Sequence, residues 1–243
     1  MTRCPNCLAE GVRRYCPNCG QEWPRELTAR AWFGEALDEL FFVDARLPRS
    51  LRALVVSPGL LMVEWEAGRR ARYVQPLRLF LLALALAFLF GRVSDAIRPP
   101  PEEALDTNFA FQLVLFCLSV PGIAVLTRLS LLGSGPQGSF LPYVVFSLYE
   151  HTALLLILLA VNAVALPVEV LWTGSAGAAL LSVLPLTLVF AHFVLSIRRW
   201  RDLTWAGAVA RGLLVAAACI PLGFVMLRVL ILVVNLTYGP IDT

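Results

Sequence analysis

The residues with the clearest chemical signature are four cysteines near the start of the chain. Cys4 and Cys7 form one Cys-x-x-Cys pair, and Cys16 and Cys19 form a second pair after eight intervening residues. Two such pairs can place four thiolates around one Zn²⁺ at about 2.3 Å. Pro and Asn between the cysteines, and Gly20 after the last one, favour a zinc knuckle over two disulfides or redox-active pairs. We therefore predict one structural Zn²⁺, because four cysteine ligands leave no coordination position open for catalysis.

A second set of reactive side chains lies in long apolar stretches further along the chain: Glu150, His151, His192 and Arg228. A charged side chain inside a bilayer is costly unless it is paired or hydrated, so each is a candidate functional residue. Counting the helical rise from the predicted helix ends places Glu150 and His192 in the same half of the membrane, where they can meet. Two interpretations stay open for this pair: a hydrogen bond between helices, and a protonatable pair on a solute or proton path.

Arg228 is predicted in the opposite half of the membrane. Its expected partners are Asn162, Glu169 and Asn235, of which we prefer Glu169, near the outer surface.

Membrane helices are the elements predicted to position these side chains. Of 243 residues, 58% are hydrophobic and only 15% are charged, whereas a soluble domain carries about 25% charged residues. This composition argues against an ordinary soluble enzyme, and it excludes a disordered chain and collagen. A helix needs about 20 residues to cross the hydrocarbon core. Five spans are predicted, at 74–92, 109–131, 141–166, 178–197 and 209–236, with Pro121, Pro185 and Pro221 inside the second, fourth and fifth.

The predicted fold class is therefore an all-α membrane protein with four parts. A zinc ribbon occupies 1–24, an amphipathic juxtamembrane segment 25–73, the transmembrane helical domain 74–236 and a short external tail 237–243. Within the juxtamembrane segment, one helix is predicted over 28–45. A second is predicted with Ser57 as its N-cap, Pro58 in its first turn and Gly68 at its end.

The distribution of arginine predicts the orientation. With the N-terminus inside, the segments 1–73, 132–140 and 198–208 face the cytoplasm, and the last contains Arg198, Arg199 and Arg201. The segments that face outward are 93–108, 167–177 and 237–243. Their only arginine is Arg98. This arrangement follows the positive-inside rule, so we predict a cytoplasmic N-terminus and an external C-terminus.

A basic segment immediately precedes and enters the first predicted span, and it consists of Arg69, Arg70, Arg72, Tyr73 and Arg78. Guanidinium groups pair with lipid phosphates, and a phenol ring lies well at the membrane interface. Two interpretations stay open: a topology anchor, and a specific anionic-lipid or ligand site.

The same segment resembles the signature of a bacterial membrane family catalogued as domain of unknown function 3667. The resemblance is carried by the run Pro58-Gly59, Glu64, Gly68-Arg69-Arg70-x-Arg72-Tyr73-x-x-Pro76-x-Arg78. Members typically join a Cys-Pro-x-Cys-Gly zinc ribbon to this segment and to several membrane helices. The resemblance covers nearly the whole chain and implies a bacterial inner-membrane protein with no established activity. Trp65 replaces an expected Tyr, and only His151 remains of a His-rich stretch that often opens the third membrane helix.

No catalytic motif is found in the sequence. We predict a non-enzymatic scaffold or regulator whose cytosolic zinc ribbon docks a protein partner. The alternative is a small-solute, ion or lipid transporter that uses Glu150, His192 and Arg228. An enzyme acting on lipid within the membrane would need a nucleophile or a carboxylate pair in a recognisable motif, and none is present. The bilayer and anionic lipid are the other expected partners. Nucleic acid is disfavoured, because a zinc ion with four thiolates carries a charge of −2.

Overall fold

The computed structural model describes residues 2–11, 15–21, 46–97, 107–132, 139–171 and 175–238. Two short antiparallel strands, β1 (Thr2–Arg3) and β2 (Glu10–Gly11), pair Thr2 with Gly11 and Arg3 with Glu10. Seven helices follow in the described residues: α1 (Leu47–Val56), α2 (Leu60–Glu66), α3 (Pro76–Ile97), α4 (Thr107–Ser130), α5 (Leu141–Leu171), α6 (Ser175–Arg201) and α7 (Trp205–Tyr238). The helix predicted over 28–45 lies outside the described residues.

Within the part of the chain that the structure describes, four helices are long and apolar enough to cross a membrane. The candidate spans are Pro76–Ile97, Leu141–Ala165, Val183–Arg201 and Trp205–Val225, and they confirm the predicted helical membrane architecture. The remaining predicted span falls on α4, whose fully described apolar part, Phe116–Ser130, is shorter. The three prolines expected inside spans do lie within α4, α6 and α7.

Helix α5 is the centre of the bundle. It packs against α3, α4 and α6, while α7 packs against α4 and α6. Its inward residues Val145 and Phe146 are almost fully buried, and the Phe146 ring stacks on Trp200 with centroids 4.6 Å apart. A helix that is apolar on all faces suits this position, because it meets protein on several sides and lipid on the rest.

Helices α1 and α2 form a hairpin that packs against α5 and α6. The sequence prediction missed α1 and placed the start of α2 wrongly at Ser57. Ser57 is instead the C-cap of α1, since its N–H donates to the Ala53 carbonyl at 3.1 Å. Gly59 is the N-cap of α2, with a φ of +78° that glycine adopts at little cost. Gly68, which lies just past the end of α2 at φ +77°, terminates it as predicted.

The hairpin is tied at its open end to the turn that leads into α3. The Ser50 hydroxyl accepts a hydrogen bond from the Val74 N–H at 2.9 Å, and Ser50 is fully buried. Arg46 donates from Nη1 to the Ala71 carbonyl at 3.2 Å. The hairpin, this turn and α3 therefore form one continuous packing unit.

Candidate metal centre and polar sites

The four predicted cysteines converge on one site. Their sulfur atoms all lie within 4.8 Å of one another. Cys4 Sγ is 3.6 Å from Cys19 Sγ, and Cys7 Sγ is 3.4 Å from Cys16 Sγ. A tetrahedral zinc–thiolate site has sulfur atoms about 3.8 Å apart, given Zn–S bonds of about 2.3 Å. The cysteines are unpaired thiols, so both their spacing and their chemistry fit one bound metal ion.

Two equivalent turns present these sulfurs. In the first, Leu8 N–H donates to the Cys4 carbonyl at 2.9 Å; in the second, Gly20 N–H donates to the Cys16 carbonyl at 2.9 Å. The residue that follows the second cysteine of each pair has a left-handed backbone conformation, with φ of 63° at Leu8 and 71° at Gly20. A leucine pays about 1 kcal/mol or more for this conformation, so the first turn depends on the site around it.

The environment of the cysteines favours thiolates on the second pair. Burial opposes ionisation of Cys19, but hydrogen bonds from the Asn6 side chain and the Gln21 backbone outweigh it and lower its pKa to about 6. The pKa of Cys16 is also lowered, because backbone hydrogen bonds from Asn18 and Cys19 outweigh the effect of burial. A hydrogen bond from the Ala9 backbone favours the Cys7 thiolate, but burial and the neighbouring thiols raise its pKa to about 11. Metal binding must therefore displace a proton from Cys7.

The four-cysteine module contacts the juxtamembrane segment through Gln21. Its Nε2 donates to the Gly68 carbonyl, and its Oε1 accepts from the Ala71 N–H at 3.2 Å. The Pro5 ring is 3.3 Å from where a Cβ on Gly68 would lie. The side-chain amide thus satisfies a donor and an acceptor of the turn after α2, which holds the module against that turn.

The arginines of the basic segment have different surroundings. Arg69 forms a bidentate pair with Glu64 at 2.7 Å for both hydrogen bonds, and this pairing lowers the pKa of Glu64 despite partial burial. Arg70 lies over the Trp65 ring at 4.6 Å. Arg72 is exposed, whereas Arg78 is only 4% exposed. Tyr73 is half-buried and packs against the core. Among these arginines, Arg72 is therefore the one best placed to reach lipid phosphates.

Glu150 and His192 meet between α5 and α6. His192 Nδ1 is 3.1 Å from Glu150 Oε2, and both side chains are about nine-tenths buried, with exposures of 9% and 10%. On the other edge of the ring, Nε2 is 3.0 Å from the Leu54 carbonyl at the end of α1. A carbonyl only accepts, so Nε2 carries a hydrogen. The other ring nitrogen, Nδ1, faces the Glu150 carboxylate and also lies 3.4 Å from the Ser196 hydroxyl.

His151 has a separate environment although it is next to Glu150 in sequence. Its Nδ1 donates to the Ser147 carbonyl at 2.7 Å, and its Nε2 is 2.7 Å from the Ser119 hydroxyl. The ring is 2% exposed and makes edge contacts with Phe80 and Phe116. These contacts describe a packed histidine that joins α4 to α5.

Arg228 does not join Glu150 and His192 in the described structure. It is exposed on α7, and Asn162, one of its expected partners, donates to the Leu158 carbonyl of its own helix at 2.8 Å. The side chains of Glu169 and Asn235 lie outside the described residues.

Sequence reasoning missed two of the polar contacts that organise the site. The Leu54 carbonyl and the Gln21 amide were not singled out, since a backbone acceptor has no residue type and a lone Gln has no pattern. Helix α1 did have a signal. Pro48 suits a first helical turn, and Ser50, Ala53 and Leu54 share one buried face at helical spacing.

The fold and the site define a helical membrane protein with an N-terminal four-cysteine module that can hold a metal ion. Residues 44–88 match the family model described as "Protein of unknown function (DUF3667)". This match covers the α1–α2 hairpin, the turn after it and the first half of α3, and it contains every residue of the signature noted in the sequence. No curated protein and no solved structure matches the chain.

Proposed function

We propose that the protein is a non-enzymatic membrane scaffold or regulator whose zinc-bound module docks a protein partner. The observation that carries this proposal is the asymmetry of the module. One side is held to the juxtamembrane segment through Gln21 and Pro5. Leu8 and Tyr15, next in sequence to Cys7 and Cys16, are 72% and 51% exposed. The module therefore presents an exposed leucine and an exposed tyrosine that a partner could contact.

Zinc is the metal that the donor set supports. Four thiolates at tetrahedral spacing favour it, and a site closed by four protein ligands is typical of a structural role. Such a short module buries little apolar surface, so the metal would supply most of its folding free energy.

A cytoplasmic location of the module is part of the proposal, and the charge distribution supports it. Arg201 Nη2 is 3.5 Å from Glu66 Oε1 at the end of α2, so the arginines closing α6 and those after α2 share one end of the bundle. An arginine-rich end faces the cytoplasm in membrane proteins. Reducing conditions there would also keep the cysteines available to metal.

Affinity capture from membranes in mild detergent, with quantitative mass spectrometry, tests the docking role. A Cys4→Ser/Cys7→Ser variant is expected to lose zinc and its specific partner, while the membrane domain stays monodisperse. Leu8→Asn is the matched variant. Asn tolerates a left-handed φ, so zinc should remain at one per chain while the same partner is lost. An unchanged captured set after complete loss of zinc would exclude the docking role.

A second candidate function, transport, is favoured by the Glu150–His192 contact inside candidate spans. An ionisable pair at this depth suits proton movement. If the pair carries protons, purified protein in liposomes should acidify the lumen under an imposed gradient, and Glu150→Gln should abolish that flux at normal protein levels. Equal flux in the variant and the wild type would reject this function.

A further inference from the structure

The C-terminal end of α1 lies beside α6 nearly two turns before the arginines that close that helix. The Leu54 carbonyl accepts from His192 at 3.0 Å. His192 precedes Arg198, the first arginine near the end of α6, by six residues, which is about 9 Å along the helix. The turn of the hairpin lies nearer the end of α6, since a Cβ on Gly59 would lie 2.5 Å from the Ser196 carbonyl oxygen and 3.1 Å from Arg199 Cβ. Both contacts fall within the candidate span Val183–Arg201.

The hairpin enters and leaves at the same end of the bundle. Its start is held by Arg46 to Ala71, in the turn before α3. Its second helix, α2, ends at Glu66, which pairs with Arg201 at the end of α6. The chain therefore descends along α1, turns at Ser57–Gly59 and returns along α2.

We propose that α1 and α2 form a re-entrant hairpin that dips into the leaflet at the arginine-rich end, where Val55 and Val56 contact lipid acyl chains. These valines are 64% and 68% exposed at the tip. Arg49 and Arg52, nearer the open end of α1, are also exposed. Arginine at the depth of the lipid headgroups and valine deeper, in the hydrocarbon, is the distribution typical of membrane proteins.

Several polar groups of the backbone around the tip have hydrogen-bond partners. An unpaired polar group in hydrocarbon costs several kcal/mol, so irregular backbone persists there only where partners exist. The Ser57 N–H donates to Ala53 at 3.1 Å, and the Ser57 carbonyl accepts from Leu60 at 3.0 Å. His192 donates to the Leu54 carbonyl, one of the free carbonyls at the end of α1. This histidine thus caps a helix inside the membrane.

Depth-dependent thiol labelling tests the proposal. Arg49 and Val56 are seven residues apart, so they share one face of α1 and differ mainly in depth. Val56→Cys and Arg49→Cys variants are placed in nanodiscs of zwitterionic phospholipid and treated with a charged maleimide. Labelling at each position is read from its own peptide by mass spectrometry. Val56→Cys is expected to react at least about tenfold more slowly, because a thiol in hydrocarbon does not ionise. Equal rates at the two positions would overturn the proposal.

Wild-type protein provides the second measurement, which does not depend on any variant folding. Lipid with a diazirine in its acyl chain is photolysed in the nanodiscs, and adducts are mapped by peptide. Adducts on Val55 or Val56 are expected, alongside adducts on the exposed residues of α7. If α7 is modified and the tip is not, another part of the chain covers the tip and lipid contact is refuted.

Discussion

Replacing Gly59 with alanine should destabilise the protein more than any other single methyl addition at the glycines in the described residues. The backbone conformation at φ +78° is unfavourable for an L-residue by about 1–2 kcal/mol. The added Cβ would also lie 2.5 Å from Ser196 O, 3.0 Å from Ser196 Cα and 3.1 Å from Arg199 Cβ. Two of these atoms are backbone of a packed helix and cannot swing away, so overpacking adds about 1–3 kcal/mol. We expect a total loss of about 2–5 kcal/mol.

Apparent unfolding temperature in mild detergent, followed by tryptophan fluorescence, measures this loss. For a chain of this length, the expected decrease is roughly 4–20 °C. Gly223→Ala is the matched control, since no atom lies within 4 Å of its added Cβ, and alanine favours a helix by up to about 1 kcal/mol.

A Gly59→Asn variant separates backbone strain from the steric clash. Asparagine tolerates the left-handed conformation but keeps the Cβ, so it should remain destabilised. At Gly68, where the nearest atoms to an added Cβ are Pro5 ring carbons at 3.3 Å, asparagine should be close to wild type. An unfolding temperature of Gly59→Asn within about 2 °C of wild type would show that the hairpin does not press against α6 as described.

Two further outcomes follow from the polar contacts. His192→Ala should lower the unfolding temperature, because it leaves the Glu150 carboxylate and the Leu54 carbonyl without their histidine. Adding Glu150→Gln to it should restore part of the loss by removing the buried charge; a double variant no more stable than the single one would contradict the pairing. For Glu64, the pairing with Arg69 lowers its pKa below 4.5 in the folded state. Its stabilisation is therefore complete above the unfolded pKa and is lost as the pH falls through the folded value. Glu64→Gln should show a smaller loss of stability below pH 4.5 than wild type in urea titrations, and parallel pH profiles would refute this.

The membrane helices and the cysteine cluster were predictable because their signals are local. The free energy of transferring a long apolar run into a bilayer follows from its own composition, whatever the run packs against. The two Cys-x-x-Cys turns lie within 16 residues, so spacing alone restricts how their four sulfurs can meet. The different exposures of the arginines in the basic segment could not be predicted in this way. Arg72 and Arg78 look alike in sequence, yet one is exposed and the other is buried, because only tertiary packing decides which side chain is covered.

The sequence by itself determined that this chain partitions into a membrane and that its first residues can bind a metal, since both depend on composition and short-range spacing. The tertiary structure decided where the segment before the first span goes. Leu54 and His192 are 138 residues apart along the chain, and neither pattern nor propensity predicts that a backbone carbonyl will meet that imidazole. Only the packing of α1 and α2 against α5 and α6 brings them together, because the free carbonyl at the end of α1 needs a donor that its own segment does not provide.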